Sequence, residues 1–334
     1  MRLQTPLLQT ITPFLLLAQE ATAWGFYGHK TVALLASRYF LPETSQFVQT
    51  YLYRGQSIMD AAVWADRYAH IPLGRYSKTW HYIDAQDDPP RSCGIDYKRD
   101  CGAAAGEGCI VSALVNMTKR IQDDTLPWPQ RAQSLRFILH FLGDIHQPLH
   151  TEHKSLGGNR IKVLFQGHDA NLHSVWDSKI IESFRGRPTE RGIISLTNEL
   201  EERINSGIYA EEKGGWRECL NVTNSEECAL VWAGGANRYI CEYVLKEEVE
   251  GKELSGGYAE GAVGIIEKSI AQAGYRLAGW MNGIVAGRDG LDEEDLVDGR
   301  RELLEGLWEG DMADEEGFLE VMGLGVEGGL RVQH

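Results

Sequence analysis

After its first two dozen residues, the 334-residue sequence has no apolar run long enough to cross a bilayer. It also has no internal repeat, and its ten prolines form no linker. Solenoids and strings of tethered modules are therefore excluded, and one domain is expected to about residue 286. None of the six cysteines stands in a Cys-x-x-Cys pair, which argues against a thiolate metal site. Positive charge is scarce, since the chain carries a net −15. That deficit is uneven. Residues 288–334 hold four arginines against fifteen acids, or −11, while residues 1–23 are neutral and 24–287 carry only −4. Several acids of the main body could serve bound divalent cations, which reverse the local field. The acidity therefore does not exclude a nucleic-acid substrate. The segment 287–334, with its many acids and glycines, is expected to be a solvated, disordered extension.

The N-terminus begins with Arg2, continues through a moderately apolar stretch at 7–18 and reaches Ala21-Thr22-Ala23, the pattern of a signal peptide cleaved before Trp24. A buried helix is the weaker reading, because Gln9, Thr10, Thr12 and Pro13 interrupt the run. A secreted, extracellular protein is expected. Cys93, Cys101, Cys109, Cys219, Cys228 and Cys241 then read as three disulfides, with fifteen pairings open. Asn116-Met117-Thr118 and Asn221-Val222-Thr223 are glycosylation sequons. Most of the mature chain has helical periodicity, at 31–40, 58–68, 110–121, 132–145, 226–245 and 259–284. Strand-like alternation is confined to about 160–165, where a short hairpin is expected. The fold class is thus all-α, a single globular helical domain.

Histidines and carboxylates recur at metal-ligand spacings. In Phe137-Ile-Leu-His-Phe-Leu-Gly-Asp-Ile-His-Gln-Pro-Leu-His150, His140 and Asp144 are four apart and share a helix face. His150 follows Pro148, where that helix should end. His173 and Asp177 form a second pair of the same spacing. One such pair is more often a surface ion pair, but two pairs with His150 resemble the ligand placement of zinc enzymes. Asp66, in Trp64-Ala65-Asp66, and His81, in Trp80-His-Tyr-Ile-Asp84, suit the same site. Taken singly, each reads better as a surface acid or a core histidine. Cleavage after Ala23 would also free the α-amine of Trp24, able to bind metal when deprotonated, with His29 five residues on.

These motifs, in this order, resemble the zinc-dependent single-strand nucleases of fungi and plants, the type I (S-one and P-one) nucleases. The resemblance covers 24–284 and includes Gly157-Gly158-Asn159 and Ala273-Gly-Tyr-Arg-Leu-Ala-Gly-Trp280. It implies three zinc ions. Asp66, His81, His140 and Asp144 would bind one. Trp24 through its amine and carbonyl, with His29 and a bridging Asp144, would bind a second. His150, His173 and Asp177 would bind the third. It further implies Cys93–Cys241 and Cys101–Cys109 pairing, leaving Cys219–Cys228 by exclusion. Asp84 would orient the attacking water as the catalytic carboxylate, Tyr82 would stack a base and Asn159 would contact one. The implied substrates are single-stranded DNA and RNA, cut to 5′-phosphates, with 3′-nucleotides hydrolysed as well. No membrane anchor and a monomer are expected.

One position departs from that pattern. A Lys or Arg is expected three residues after Asp66, and the sequence has Ala69, with Arg67 on another face. His70, His146, His153 and His168 read as structural or surface histidines. Two rival functions stay open: a zinc-dependent phospholipase C-type phosphodiesterase on a similar scaffold, and a secreted zinc-binding protein without catalysis.

Overall fold

In the computed structural model, which describes residues 24–101, 108–292 and 295, periodic apolar spacing becomes helix. The first helices are α1 (Gly25–Ser37), α2 (Pro42–Tyr51), α3 (Ile58–Ala62), α4 (Trp64–His70) and α5 (Tyr97–Asp100). They are followed by α6 (Ile110–Gln122), α7 (Trp128–Asp144), α8 (Leu172–Ser174) and α9 (Ile180–Arg185). The last are α10 (Glu190–Asn205), α11 (Lys213–Trp216), α12 (Ser225–Tyr239) and α13 (Gly257–Ala286). Among the described residues the one sheet is a hairpin of β1 (Lys162–Phe165) and β2 (His168–Asn171), antiparallel, with Phe165 opposite His168. Gln166 and Gly167 both take positive φ at its tip, as a tight two-residue turn requires. The fold is the all-α class that the periodicity implied.

α7 is the axis of the molecule. From Ser134 to Asp144 every residue is buried, because α1, α2, α3, α4, α6 and α13 pack around it. A helix that is apolar on all sides has to be enclosed in this way. Phe137, Ile138, Leu139, Phe141 and Leu142 are fully buried, each contributing roughly 1.5–3 kcal/mol. That enclosure also takes His140 and Asp144 out of water, at the end of the helix where the candidate site lies.

The expected helix at 58–68 is broken at Val63, whose backbone (φ −97°, ψ 5°) leaves the helical region. The break releases main-chain carbonyls at the end of α3, and that of Ala62 is used by the site. α2 and α10 were not anticipated. α10 begins at a Thr189 cap, whose side chain accepts from the Gly192 N–H, and it buries Ile193, Leu196, Thr197, Leu200 and Ile204. Helix α8 runs on through a π turn (Val175–Lys179) into α9, a local widening frequent at functional sites.

Disulfides join Cys93 to Cys241, Cys101 to Cys109 and Cys219 to Cys228. The first fastens the loop after Asp84 to the π turn (Ile240–Val244) that follows α12. Both sequon asparagines are exposed. Asn221 accepts from the Thr223 main chain and hydroxyl, while the Thr118 hydroxyl is buried and accepts from the Trp280 indole N–H. The folded body continues past α13. Leu291 is buried, and Asp289 and Asp292 pair with Arg217 at 2.9 and 2.7 Å. The expected signal peptide, and the acidic extension beyond Asp292 apart from Asp295, lie outside the described residues. No described helix is long and apolar enough to cross a membrane.

Candidate metal centre

Six separate segments deliver the candidate ligands to one buried region. His29 comes from α1, Asp66 from α4, and His81 from the end of a 3-10 turn (Arg75–His81). His140 and Asp144 come from α7, His150 from a second 3-10 turn (Pro148–Thr151), and His173 and Asp177 from the helix carrying the π turn. The side chains fall into three groups: His29, Asp66 and His140; His81, His140 and Asp144; and His150, His173 and Asp177. Within each group one ligand atom per residue lies within 4.8 Å of the others.

The separations are those of lone pairs aimed at common points. His81 Nδ1 is 3.0 Å from both His140 Nε2 and Asp144 Oδ2. His140 Nε2 is 3.1 Å from Asp144 Oδ2 and 3.3 Å from Asp66 Oδ1, and His81 Nδ1 is 3.6 Å from the latter. His29 Nε2 is 3.1 Å from Asp144 Oδ1, and His173 Nε2 is 3.3 Å from Asp177 Oδ2. Tetrahedral zinc with bonds of about 2.0–2.1 Å sets neighbouring ligand atoms roughly 3.3 Å apart. The observed spacings bracket that value.

Main-chain carbonyls set the direction of three rings. His140 Nδ1 donates to the Ala62 carbonyl (2.7 Å), His150 Nδ1 to that of His81 (2.8 Å), and His173 Nδ1 to that of Gly157 (2.6 Å). A carbonyl only accepts, so each Nδ1 carries the proton and each Nε2 is left facing the cluster. Gly157 has φ +58°, and a Cβ there would meet the Leu149 carbonyl at 2.7 Å. The orienting carbonyl thus depends on glycine. Gly143 gives room of another kind: a Cβ on it would lie 2.7 Å from His29 Nδ1. The His29 ring therefore slides in flat, stacked on His140 at 3.9 Å.

The electrostatics are unbalanced in the way a cation would correct. Burial pushes Asp177 well above the ordinary carboxylate range, with only the Gln147 amide, donating at 2.6 Å, to oppose it. Burial, then His150, pushes His173 down to about 3, and burial lowers His29 and His150. Burial also opposes charge on Asp144, but His140 and His150 beside it hold it well below its usual range. His29 Nε2, Asp144 Oδ1, His150 Nε2 and Asp177 Oδ2 are buried without a hydrogen-bond partner. Orphaned polar atoms are normally costly, at about 1–3 kcal/mol each. Imidazoles kept neutral at His29, His150 and His173, beside buried carboxylates without partners, fit metal ions well. His140, which burial lowers but Asp144 and Asp66 raise well above its usual value, would give up a proton on binding one.

The remaining candidates lie around this centre. Trp24 is fully buried at the start of α1, its carbonyl accepting from the His29 N–H at 3.4 Å. Asp84 is half-buried, with His153 Nδ1 3.8 Å from its Oδ2. Burial pushes the Asp84 carboxyl up, His153 draws it down, and Asp100 adds to the rise. The segment carrying His81 and Asp84 is laced to the one carrying His150 and His153, because Ile83 N–H donates to the His150 carbonyl and His153 N–H to that of Ala85. Tyr82 is half-buried, and Asn159 is exposed, donating to the Leu156 carbonyl at 3.0 Å. Ala69 is buried and brings no charge, while the Arg67 guanidinium lies over the exposed Phe26 ring at 5.4 Å. Two residues escaped the sequence reading. His153 stands beside Asp84, though three residues past His150 it read as a surface histidine. Gln147 orients Asp177, and a glutamine inside a histidine-rich motif gives little signal.

A family model described as S1/P1 nuclease matches residues 24–286. The chain belongs to the S1/P1 nuclease family. Among curated relatives, nuclease S1 of Aspergillus oryzae is 38% identical over 273 residues, 80% of this chain and 94% of that one. Nuclease P1 of Penicillium citrinum is 38% identical over 266 residues, covering 78% and 97%. Endonuclease 3 of Arabidopsis thaliana is 30% identical over 280 residues, covering 81% and 92%. As a member of the S1/P1 nuclease family the chain is a phosphodiesterase of the nuclease type, and its His/Asp groups are the candidate metal sites.

Proposed function

We propose that this S1/P1 nuclease is a secreted, zinc-dependent endonuclease. It would cut single-stranded DNA and RNA to 5′-phosphorylated products and remove phosphate from 3′-nucleotides. The observation that carries the metal assignment is the convergence of eight side chains from six segments, with orphaned nitrogens and oxygens aimed inward. His81, His140, Asp66 and Asp144 would hold one ion. Asp144 through its other oxygen, His29 and the freed amine and carbonyl of Trp24 would hold the second. His150, His173 and Asp177 would hold the third. Zinc so bound supplies a water of lowered pKa, about 7, and stabilises charge on phosphate oxygens.

The chain's own residues do the rest. Asp84, with its lone pairs on the rim, accepts a hydrogen from the attacking water and fixes its direction. Burial raises that carboxyl, and His153 opposes the rise. Tyr82 offers a face for one base and Asn159 an amide for another. Stacking of this kind contributes about 1–3 kcal/mol per base and requires unpaired bases, which favours single strands. With Ala69 in place of a cation, this protein has one fewer positive side chain for the phosphate than the motif pattern leads one to expect. The match over 24–286, together with Tyr82 and Asn159, supports a nuclease over a phospholipase C-type enzyme or a non-catalytic zinc protein.

Chelation tests the reading. Exhaustive removal of metal should abolish hydrolysis of single-stranded DNA and lower the melting temperature, since the ions would cross-link separate segments. Zinc should restore both. Full activity in verified metal-free protein would overturn the assignment. An added alanine before Trp24 should reduce zinc content by one ion, because an amide nitrogen is a poor ligand.

A further inference from the structure

Beside the turn that follows α7 lies a cavity of about 300 Å³, with His146 in its lining. None of the candidate metal ligands lines it. Its inner wall carries Arg276, His146 and Trp232, and its mouth carries Lys268, Arg238 and Tyr239.

Arg276 is the unusual member. Its Nε donates to the Trp216 carbonyl at 3.1 Å and its Nη1 to His146 Nε2 at 2.9 Å. His146 is fixed as the acceptor, because its Nδ1 donates to the Leu142 carbonyl at 2.8 Å. Both partners are neutral. Among the described residues this guanidinium forms no ion pair with a carboxylate, unlike Arg185 and Arg203. Fully buried Arg136 also lacks one, but it is enclosed by the Gln56 amide oxygen, the Ala132 carbonyl and the Tyr53 ring, whereas Arg276 faces a cavity. Burial accordingly draws Arg276 down to about 10. A half-buried charge in a cavity wall, with no counterion of its own, favours an anion that can enter the cavity. A second, independent orphan adjoins it: the indole Nε1 of Trp232 is buried without an acceptor, and the same ring lines the cavity. The guanidinium carbon lies 5.9 Å from that ring.

The carboxylates of the lining do not meet this demand. Glu212 is taken by Lys268 at 2.5 Å, and Glu218 is exposed at the mouth. Arg238 is likewise paired, with Glu242 at 3.2 Å, so Arg276 is the cation of the lining without a carboxylate, and the buried orphan beside it is a donor. Such a lining suits a small ligand made of acceptors and carrying negative charge.

We propose that this cavity is a second anion site, which takes a phosphate group, as inorganic phosphate or as the phosphomonoester of a mononucleotide, against Arg276 and Lys268. The inference stands apart from the reaction at the metal centre and needs none of its ligands.

The test is calorimetric titration of the full-length, metal-loaded protein with inorganic phosphate and, separately, with adenosine 5′-monophosphate. Wild type should show two binding sites per chain. Arg276→Gln should lose one of them, with at least tenfold weaker binding, and keep the other. Because Arg276→Gln removes contacts to His146 and Trp216 on which folding can depend, Lys268→Gln at the mouth provides an independent arm. It should weaken the same site severalfold with an unchanged melting temperature. Tighter binding of the nucleotide than of phosphate would assign the site to mononucleotides, and equal binding would assign it to phosphate itself. A single site in wild type, or two sites untouched by Lys268→Gln and Arg276→Gln, would overturn the proposal.

Discussion

His29 Nε2 stands 3.1 Å from Asp144 Oδ1, both fully buried, yet no hydrogen bond joins them. Asp144 Oδ2 is meanwhile occupied with His81 and His140, at 3.0 and 3.1 Å. One carboxylate therefore presents its two oxygens to two different sets of imidazoles. So placed, Asp144 would be able to hold one cation with each oxygen.

Asp144→Asn should be the most damaging single change, because an amide neutralises neither cation. We expect loss of at least one metal ion and a fall in kcat of about 10³ or more, of the order found when charge stabilisation is removed from a reacting centre. His146→Ala, two residues on, should instead lower stability by about 1–3 kcal/mol by freeing Arg276 and a buried carbonyl, while metal content stays whole. Metal analysis beside thermal melting separates the two. Equal loss of metal in both variants would mean the ligands are misplaced along α7.

Gly143→Ala should act through His29. The added methyl would lie 2.7 Å from His29 Nδ1, on a helix that is enclosed and cannot shift. The ring must move, so we expect reduced metal content and activity down at least tenfold. A partly compensating Gly143→Ala/His29→Ala double variant should recover stability without recovering turnover. Unchanged metal content in Gly143→Ala would show that His29 has slack the structure does not suggest.

Much of this centre was legible in the sequence because it is local. His140 and Asp144, and His173 and Asp177, are each four apart, and helical geometry alone puts such pairs on one face. The long-range part was not legible. Nothing in the spacing of residues 62 and 140 says that the Ala62 carbonyl accepts from His140, since that contact depends on a helix break at Val63. The carboxylate–imidazole pair of Asp84 and His153 likewise forms only when two extended segments are laid side by side. In the fold, α10 had a readable apolar stripe and a Thr cap that went unused. The short elements α5, α8 and α11 are set by tertiary contacts rather than propensity.

His153→Ala should move the acid limb of the pH–rate profile upward. Burial raises the Asp84 carboxyl, and His153 at 3.8 Å draws it back down. Without His153 the carboxylate protonates at higher pH, so activity falls away earlier as the solution is acidified. A profile of kcat/KM against pH, with Asp84→Asn as the reference lacking this ionisation, checks it. An acid limb that stays in place or moves downward would separate His153 from Asp84 in function.

Truncation should distinguish the start of the acidic segment from its remainder. A chain ending at Asp292 keeps the Leu291 burial and the Arg217 pairs, and should melt like the full chain. A chain ending at Gly287 loses both, along with the Asp289 carbonyl that accepts from Asn282 at 2.8 Å. We expect it to be less stable by about 1.5–3 kcal/mol, a fall of several degrees, with activity on short oligonucleotides retained at low temperature. Equal melting of the two would assign no structural role to 288–292.

The rings of His140, His150 and His173 are steered by peptide oxygens, and every residue type brings the same peptide oxygen. Genetic drift at position 62 could change the side chain there without touching the tautomer of the imidazole that rests on it, whereas position 81 is tied down by its own imidazole, itself a candidate ligand. Position 157 has no such freedom, because its oxygen is aimed by a backbone turn that only glycine adopts at no cost. The centre is thereby open to variation at one of its three supports and closed at the other two. A directed-evolution library should find its dead ends at Gly157 sooner than at Ala62, and designers who wish to retune the enzyme can rework the neighbourhood of α3 while leaving the Gly157-Gly158 turn alone.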